Sequence, residues 1–175
     1  MTRSLLAHIG YTTPALEALV HTDLDIRVLQ QHDTQASRLT PTVAGVLKVS
    51  GHDRVLVRRS ALVHEELTVS VNLVVATRGR AADYGVDDQR TPIGRSLMAR
   101  GARQQRRVLR ADLARWPDGR MCAARAYIMT LDHRPLCYIR ESFNPDIVSP
   151  DHCEPTRFRT WDDEPVPSGG PVPWS

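Results

Sequence analysis

The chain has 175 residues, 41% hydrophobic and 25% charged, which is an ordinary composition for one globular domain with a hydrophobic core. The formal charge of +3 is carried almost entirely by arginine, since Lys48 is the single lysine, and this composition is compatible with anionic ligands. Three widely spaced cysteines argue against a disulfide framework or a zinc site, and no apolar run approaches the roughly 20 residues of a membrane helix. We therefore expect a soluble, cytoplasmic protein without a membrane segment.

The N-terminal region predicts helices, and the hydrophobic period changes after it. Thr13 and Pro14 predict a helix start with proline at the first helical position, followed by apolar residues at helical spacing over 15–20. Residues 23–29 predict a turn and a second short helix. Residues 43–49 are predicted as the first strand.

Two strands follow the turn at residues 51–53. The first is predicted over residues 54–63 and the second over residues 67–76, where apolar and polar residues alternate cleanly. Residues 64–66 between them are predicted as the short loop of an antiparallel hairpin.

The middle of the chain is less regular. Residues 78–90 are polar and contain glycine, so we predict a loop there. Thr91 as N-cap and Pro92 at the first helical position predict a helix that continues to Gly101. The pattern over residues 104–116 is ambiguous, and a strand is possible.

The last predicted elements form a second hairpin. Residues 121–131 and 136–143 are predicted strands joined by a turn at residues 132–134. Together these elements predict an α+β fold with a single antiparallel sheet over residues 1–150. Residues 151–175 are rich in proline, glycine and acidic residues, and they predict an irregular tail.

One carboxylate lies on an apolar strand face. Successive side chains of a strand point to opposite sides. From Leu136 onward, one side carries Cys137, Ile139, Glu141 and Phe143, and the other carries Leu136, Tyr138, Arg140 and Ser142. A buried carboxylate is costly unless it is paired, so Glu141 is a candidate functional residue. The alternative is a glutamate at a sheet edge or bulge that reaches solvent past Phe143.

Two arginines interrupt an apolar strand. Arg58 and Arg59 must point to opposite faces, so one guanidinium is directed inward and needs an anionic partner. That partner is either a ligand carboxylate or a structural carboxylate such as Glu141 or Asp112. Periodicity does not choose between the two arginines.

Other signals are weak. The TPIGR segment provides backbone N–H groups at a helix N-terminus, which can bind an anion, but every helix has such an end. The arginines between residues 100 and 110 lack interleaved aromatic residues and predict a solvated basic face, so we expect no nucleic-acid partner. The seven histidines show no metal-ligand spacing.

These pieces, in this order, resemble chorismate pyruvate-lyase (4-hydroxybenzoate synthase), and most closely its actinobacterial branch. The resemblance covers roughly residues 23–148 and is carried by VLVRRSAL, LTVSVNLVVA, TPIGRSLM and ARAYIMTLDHRPLCYIRESFNP. It departs from the family pattern at Arg140 and Asn144, and in the acidic tail.

The resemblance implies a fold, an activity and a set of site residues. The fold is one antiparallel sheet with flanking helices and helical flaps that enclose a buried ligand. The activity is cleavage of chorismate to 4-hydroxybenzoate and pyruvate with no metal or organic cofactor. Arg58 and Glu141 would be the catalytic residues: Arg58 would bind the ring carboxylate, and Glu141 would accept from the ring hydroxyl or act as a general acid or base. The amides of Ile93 and Leu24 would contact the ligand carboxylate. Arg125 matches a family arginine to which we assign no role.

Three alternatives remain open. A related enzyme could act on another small cyclic substrate. The sheet also resembles the effector-binding domain of certain bacterial transcription regulators, although the residues before the first predicted strand are too few for their winged helix-turn-helix. A structural protein that uses the tail aromatics is the third. Sequence does not indicate whether the protein is a monomer or a dimer.

Overall fold

The computed structural model describes residues 12–152 and residue 161. Within these residues there are helices, strands and two short 3-10 turns, at Ala36–Arg38 and Pro150–His152. The helices are α1 (Thr12–Val20), α2 (Pro41–Leu47), α3 (Arg78–Asp83) and α4 (Ile93–Ala99). The strands are β1 (Asp25–Gln35), β2 (Arg54–His64), β3 (Leu67–Thr77), β4 (Gln104–Arg115), β5 (Met121–Leu131) and β6 (Arg134–Phe143).

The strands form one six-stranded sheet in the order β1-β2-β3-β6-β5-β4, and every neighbouring pair is antiparallel. The predicted α+β fold with a single antiparallel sheet is therefore confirmed. Tight turns join β2 to β3 and β5 to β6. Asp132 and His133 have φ values of 49° and 61°, the left-handed backbone that a two-residue hairpin turn requires.

Helices cover both faces of the sheet. On one face, which we call the front face, Leu16 of α1 and Leu97 of α4 pack on apolar residues of the central strands. On the other, the back face, Val43 and Leu47 of α2 pack on residues that include Leu73. Strand alternation separates the two cores, because successive side chains point to opposite faces.

The helix predicted within residues 23–29 is wrong, because β1 begins at Asp25. This strand is at the edge of the sheet and pairs with β2 alone, so many of its side chains are exposed. An edge strand tolerates polar residues, and the run from Gln30 to Gln35 therefore lacks the apolar alternation that identifies an inner strand.

The strand predicted over residues 43–49 is also wrong, because Pro41–Leu47 is helix α2. Thr40 caps the helix by accepting a hydrogen bond from the Val43 N–H at 3.5 Å, and Pro41 occupies the first helical position. Lys48 ends the helix in the left-handed conformation. These caps outweigh the strand preference of the valines.

Smaller differences occur around α3 and α4. Residues 78–83 of the predicted loop form helix α3, and residues 104–115 of the ambiguous segment form strand β4. Helix α4 begins at Ile93 with Pro92, rather than Thr91, at its cap position. The other predicted strands and their turns are confirmed. Apart from residues 151–152 and 161, the predicted tail lies outside the described residues.

Candidate anion-binding site

A cavity lies between the front face of the sheet and the N-terminal ends of α1 and α4. Its empty volume is about 570 Å³, a figure that includes space open to solvent. Apolar side chains of the sheet, among them Val74 and Ile139, form part of its wall. The charged residues among its described lining are Arg58, Arg95, Arg106 and Glu141.

Arg58 contributes a buried guanidinium to this wall. Its side chain lies on β2 and the residue is 1% exposed. The Nη1 group donates to the carbonyl oxygens of Val86 at 2.9 Å and Asp88 at 2.7 Å, and Nε has no partner among the described residues. Burial lowers the pKa of Arg58, which is the effect expected when a cation loses its solvation. Arg58 is therefore fixed in place by carbonyl groups and keeps unused donor capacity.

Neither structural carboxylate considered for this arginine is its partner. Asp112 pairs with Arg110 at 2.9 Å, and Glu141 pairs with Arg125 at 2.8 Å. The interpretation of Arg58 as half of a buried salt bridge with Glu141 or Asp112 is therefore wrong.

Arg59 points to the back face. Its backbone lies opposite Leu73 of β3, a residue of the core beneath α2, and it is 7% exposed. Both arginines are thus buried, but only Arg58 belongs to the described lining of the cavity.

Glu141 anchors a buried polar cluster at the same cavity. It lies on the inner strand β6 and is 6% exposed, so the alternative of a solvent-reaching glutamate at a sheet edge is wrong. Arg125 Nε donates to Oε2 at 2.8 Å, and the Thr12 hydroxyl donates to the same oxygen at 3.2 Å. The Tyr127 hydroxyl donates to Oε1 at 2.9 Å.

The strand register brings these groups together. Asn72, Glu141 and Arg125 lie directly opposite one another on β3, β6 and β5. Two residues after Asn72, at the next position of β3 on the same face, Val74 lies opposite Arg58 of β2. Directly opposed residues share a face, so all of these side chains lie on the front face.

Tyr127 and Thr12 complete the cluster. Burial and the nearby Glu141 carboxylate raise the pKa of the Tyr127 hydroxyl, so at neutral pH it keeps its proton and acts as a donor. The Thr12 hydroxyl also accepts from Arg125 Nη2 at 2.7 Å and from Arg106 Nη1 at 3.4 Å. Arg106 lies over the Tyr127 ring, 5.2 Å from its centroid.

The two predicted backbone donors differ in placement. Ile93 lines the cavity as the first residue of α4, where backbone N–H groups have no partner within the helix. Leu24 is outside the described lining, and its N–H donates to the Glu17 carboxylate at 2.9 Å. That carboxylate also accepts from Arg95 of α4. The structure thus brings Arg58, Ile93 and Glu141 to one cavity and leaves Leu24 outside.

Sequence reasoning missed the polar residues around Glu141, among them Thr12, Arg106 and Tyr127. Arg106 belongs to the arginines between residues 100 and 110, which lack interleaved aromatic residues and therefore predicted a solvated basic face. Tyr127 lies two residues after Arg125 on a predicted strand, so alternation was the available signal. Thr12 precedes the predicted helix and carried no signal. Among the described residues, no group of three histidine, cysteine, aspartate or glutamate side chains could hold a metal ion.

Comparisons with known proteins support the fold. No family model matches the chain, and no curated protein matches its sequence. The structure is similar to that of PhnF from Mycobacterium smegmatis, with a TM-score of 0.62 and 16% identity over 82% of this chain and 67% of that one. The effector domain of PhnF matches with a TM-score of 0.61 and 18% identity, over 79% of this chain and 91% of that chain.

A third similar structure is the C-terminal domain of the histidine utilization repressor from Pseudomonas syringae, with a TM-score of 0.55 and 16% identity, over 78% of this chain and 99% of that chain. At such identities the likeness shows a shared fold. That fold is common to regulator effector domains and chorismate lyase, so the comparisons do not identify this chain as a lyase. No helix in the described part of the chain is long and apolar enough to span a membrane.

Proposed function

We propose that the cavity binds a small cyclic organic anion whose carboxylate contacts Arg58. The observation that carries this proposal is a guanidinium that is 1% exposed and held by two carbonyl oxygens, with Nε unused among the described residues. Burying a cation is costly unless an anion compensates it. A ligand carboxylate fits, because a guanidinium presents two parallel donors to it.

Similar structures support ligand binding. One of them is an effector domain, and another is the C-terminal domain of a repressor. A cavity with mainly apolar strand residues and a few fixed polar groups is also the usual form of a small-molecule site. Ligand binding without turnover is therefore the function that the geometry and the comparisons favour together.

Chorismate cleavage is the second candidate, and Glu141 favours it. The residues that match the lyase family at Arg58, Ile93 and Glu141 all line one cavity. Oε1 of Glu141 accepts one described hydrogen bond, from Tyr127, and a carboxylate oxygen has capacity for a second. A ring hydroxyl para to the carboxylate held by Arg58 could supply it.

For chorismate cleavage, the protein needs mainly to orient the substrate and exclude water. As the ring C–O bond breaks, the C4 hydrogen moves to the methylene carbon of the enolpyruvyl group, which leaves as pyruvate while the ring becomes aromatic. The protein would orient the ether against this hydrogen and exclude water. Arg58 would fix the ring carboxylate, and Glu141 would accept from the ring hydroxyl.

An assay with chorismate separates the two candidates. Purified protein is incubated with chorismate while 4-hydroxybenzoate is measured by chromatography and pyruvate by a coupled enzyme. Equal formation of both products, lost in Arg58→Gln and reduced in Glu141→Gln protein that circular dichroism shows to be folded, would support the lyase. Calorimetric binding of chorismate or 4-hydroxybenzoate without products would support a ligand-binding protein. If folded protein neither binds nor converts either compound, both candidates fail.

A further inference from the structure

The cavity presents a second guanidinium, from Arg106, at a distance from Arg58. Arg58 lies on β2 and Arg106 on β4, and four strand spacings separate these strands in the sheet. At about 4.8 Å per spacing, the two backbones lie about 19 Å apart, and both side chains reach into the cavity between them. The two guanidinium groups therefore enter the cavity from strands on different sides of it.

The surroundings of the two arginines differ. Arg58 is held by backbone carbonyls of the segment before α4. Arg106 adjoins the Glu141 cluster, because its Nη1 donates to the Thr12 hydroxyl, which also contacts Arg125 and Glu141. Thr12 is thus shared by two guanidinium groups and one carboxylate. Positive charge predominates among the described charged residues that line the cavity, with three arginines and one glutamate.

We propose that Arg106 binds a second anionic group of the ligand, so that the site selects a cyclic dicarboxylate over the corresponding monocarboxylate. This inference rests on the proposed function, in which Arg58 holds the ring carboxylate. When the ligand hydroxyl lies at Glu141, a substituent on the neighbouring ring carbon lies close to Thr12 and Arg106. An anionic substituent at this ring position therefore meets a guanidinium, as the carboxylate of an enolpyruvyl ether would.

The test uses two stable aromatic probes that differ by one carboxylate. One probe is 4-hydroxybenzoate, and the other is 4-hydroxyisophthalate, which adds a second carboxylate next to the hydroxyl. Calorimetric titration of the wild-type protein should show that 4-hydroxyisophthalate binds about tenfold more tightly. Arg106→Gln should weaken the binding of 4-hydroxyisophthalate far more than that of 4-hydroxybenzoate, and so remove this preference. Arg106→Lys should restore part of the preference, because the charge is retained.

The outcomes distinguish this inference from the function on which it rests. If Arg106→Gln weakens both probes equally, or leaves the preference unchanged, the role assigned to Arg106 is wrong. Arg58→Gln should weaken both probes by more than tenfold, since both share the ring carboxylate. If neither probe binds the wild-type protein, the proposed function fails first. Circular dichroism of each variant checks that the sheet is intact, so a loss of affinity is assigned to the missing charge.

Discussion

The buried pair of Arg125 and Glu141 makes a quantitative prediction about stability. The Arg125 side chain is fully buried and that of Glu141 is 8% exposed, with 2.8 Å between Nε and Oε2. Arg125→Met would leave the Glu141 carboxylate with two hydroxyl donors and no paired cation. Removing one partner of a buried pair costs about 3–5 kcal/mol, a large share of the roughly 5–15 kcal/mol that stabilises a typical domain.

A double-mutant cycle isolates the pair. Glu141→Gln alone should also be strongly destabilising, because it leaves the Arg125 charge buried. The double variant Arg125→Met/Glu141→Gln should cost less than the sum of the single variants, since no buried charge is left unpaired. The free energy of unfolding is measured by urea titration, with the m-value checked for constancy.

Arg120→Met is the matched control, because Arg120 pairs with Asp118 and Asp146 at the surface. It should leave the urea midpoint nearly unchanged. The reasoning is refuted if Arg125→Met costs less than about 1 kcal/mol, or if the costs of the two single variants simply add.

Two further predictions concern other parts of the molecule. Burial raises the pKa of the Cys137 thiol to about 12. In a variant that lacks the other two cysteines, Cys137 should therefore not react with a disulfide reagent at pH 8 until urea unfolds the chain. Rapid labelling of the native protein would contradict the burial of Cys137. The Trp161 indole N–H donates to the Leu113 carbonyl at 2.9 Å, so Trp161→Phe should lower the free energy of unfolding by about 1 kcal/mol. An unchanged urea midpoint would show that the hydrogen bond from Trp161 to Leu113 does not stabilise the fold.

The inner strands could be predicted from sequence because they are buried and rich in apolar residues. Strands β2, β3 and β6 carry apolar stretches bounded by short turns, so their extents were close to those in the structure. Edge strand β1 lacks this pattern because solvent reaches many of its residues. Helix α2 carried a readable capping signal at Thr40 and Pro41, but its valines favour strands and led to the wrong prediction.

The residue opposite Glu141 on β5 could not be predicted, because a β-bulge determines the register between β5 and β6. The turn at Asp132 and His133 places Leu131 opposite Arg134, and a regular hairpin continued from there would set Ala124 opposite Glu141. The register shifts between Met129 and Thr130, and Arg125 becomes the opposed residue. One extra residue in a strand is enough to change every later pair.

The same bulge explains why another prediction, the face of Leu136, was wrong. Leu136 was assigned to the face of Tyr138, but it packs in the front core with Cys137 and Ile139. The position of Glu141 on the front face followed from simple alternation, which holds beyond the bulge. Residue faces were thus easier to predict than residue partners, because partners depend on the register of a second strand.

Calorimetric titration of 4-hydroxybenzoate into wild-type, Arg58→Gln and Arg59→Gln proteins tests the central claim most directly. The two variants lose the same charge from adjacent residues of β2, one at the cavity and one on the back face. Binding should weaken by more than tenfold in Arg58→Gln and remain close to wild type in Arg59→Gln. Equal binding by Arg58→Gln and wild type would contradict the claim that Arg58 receives the ligand carboxylate.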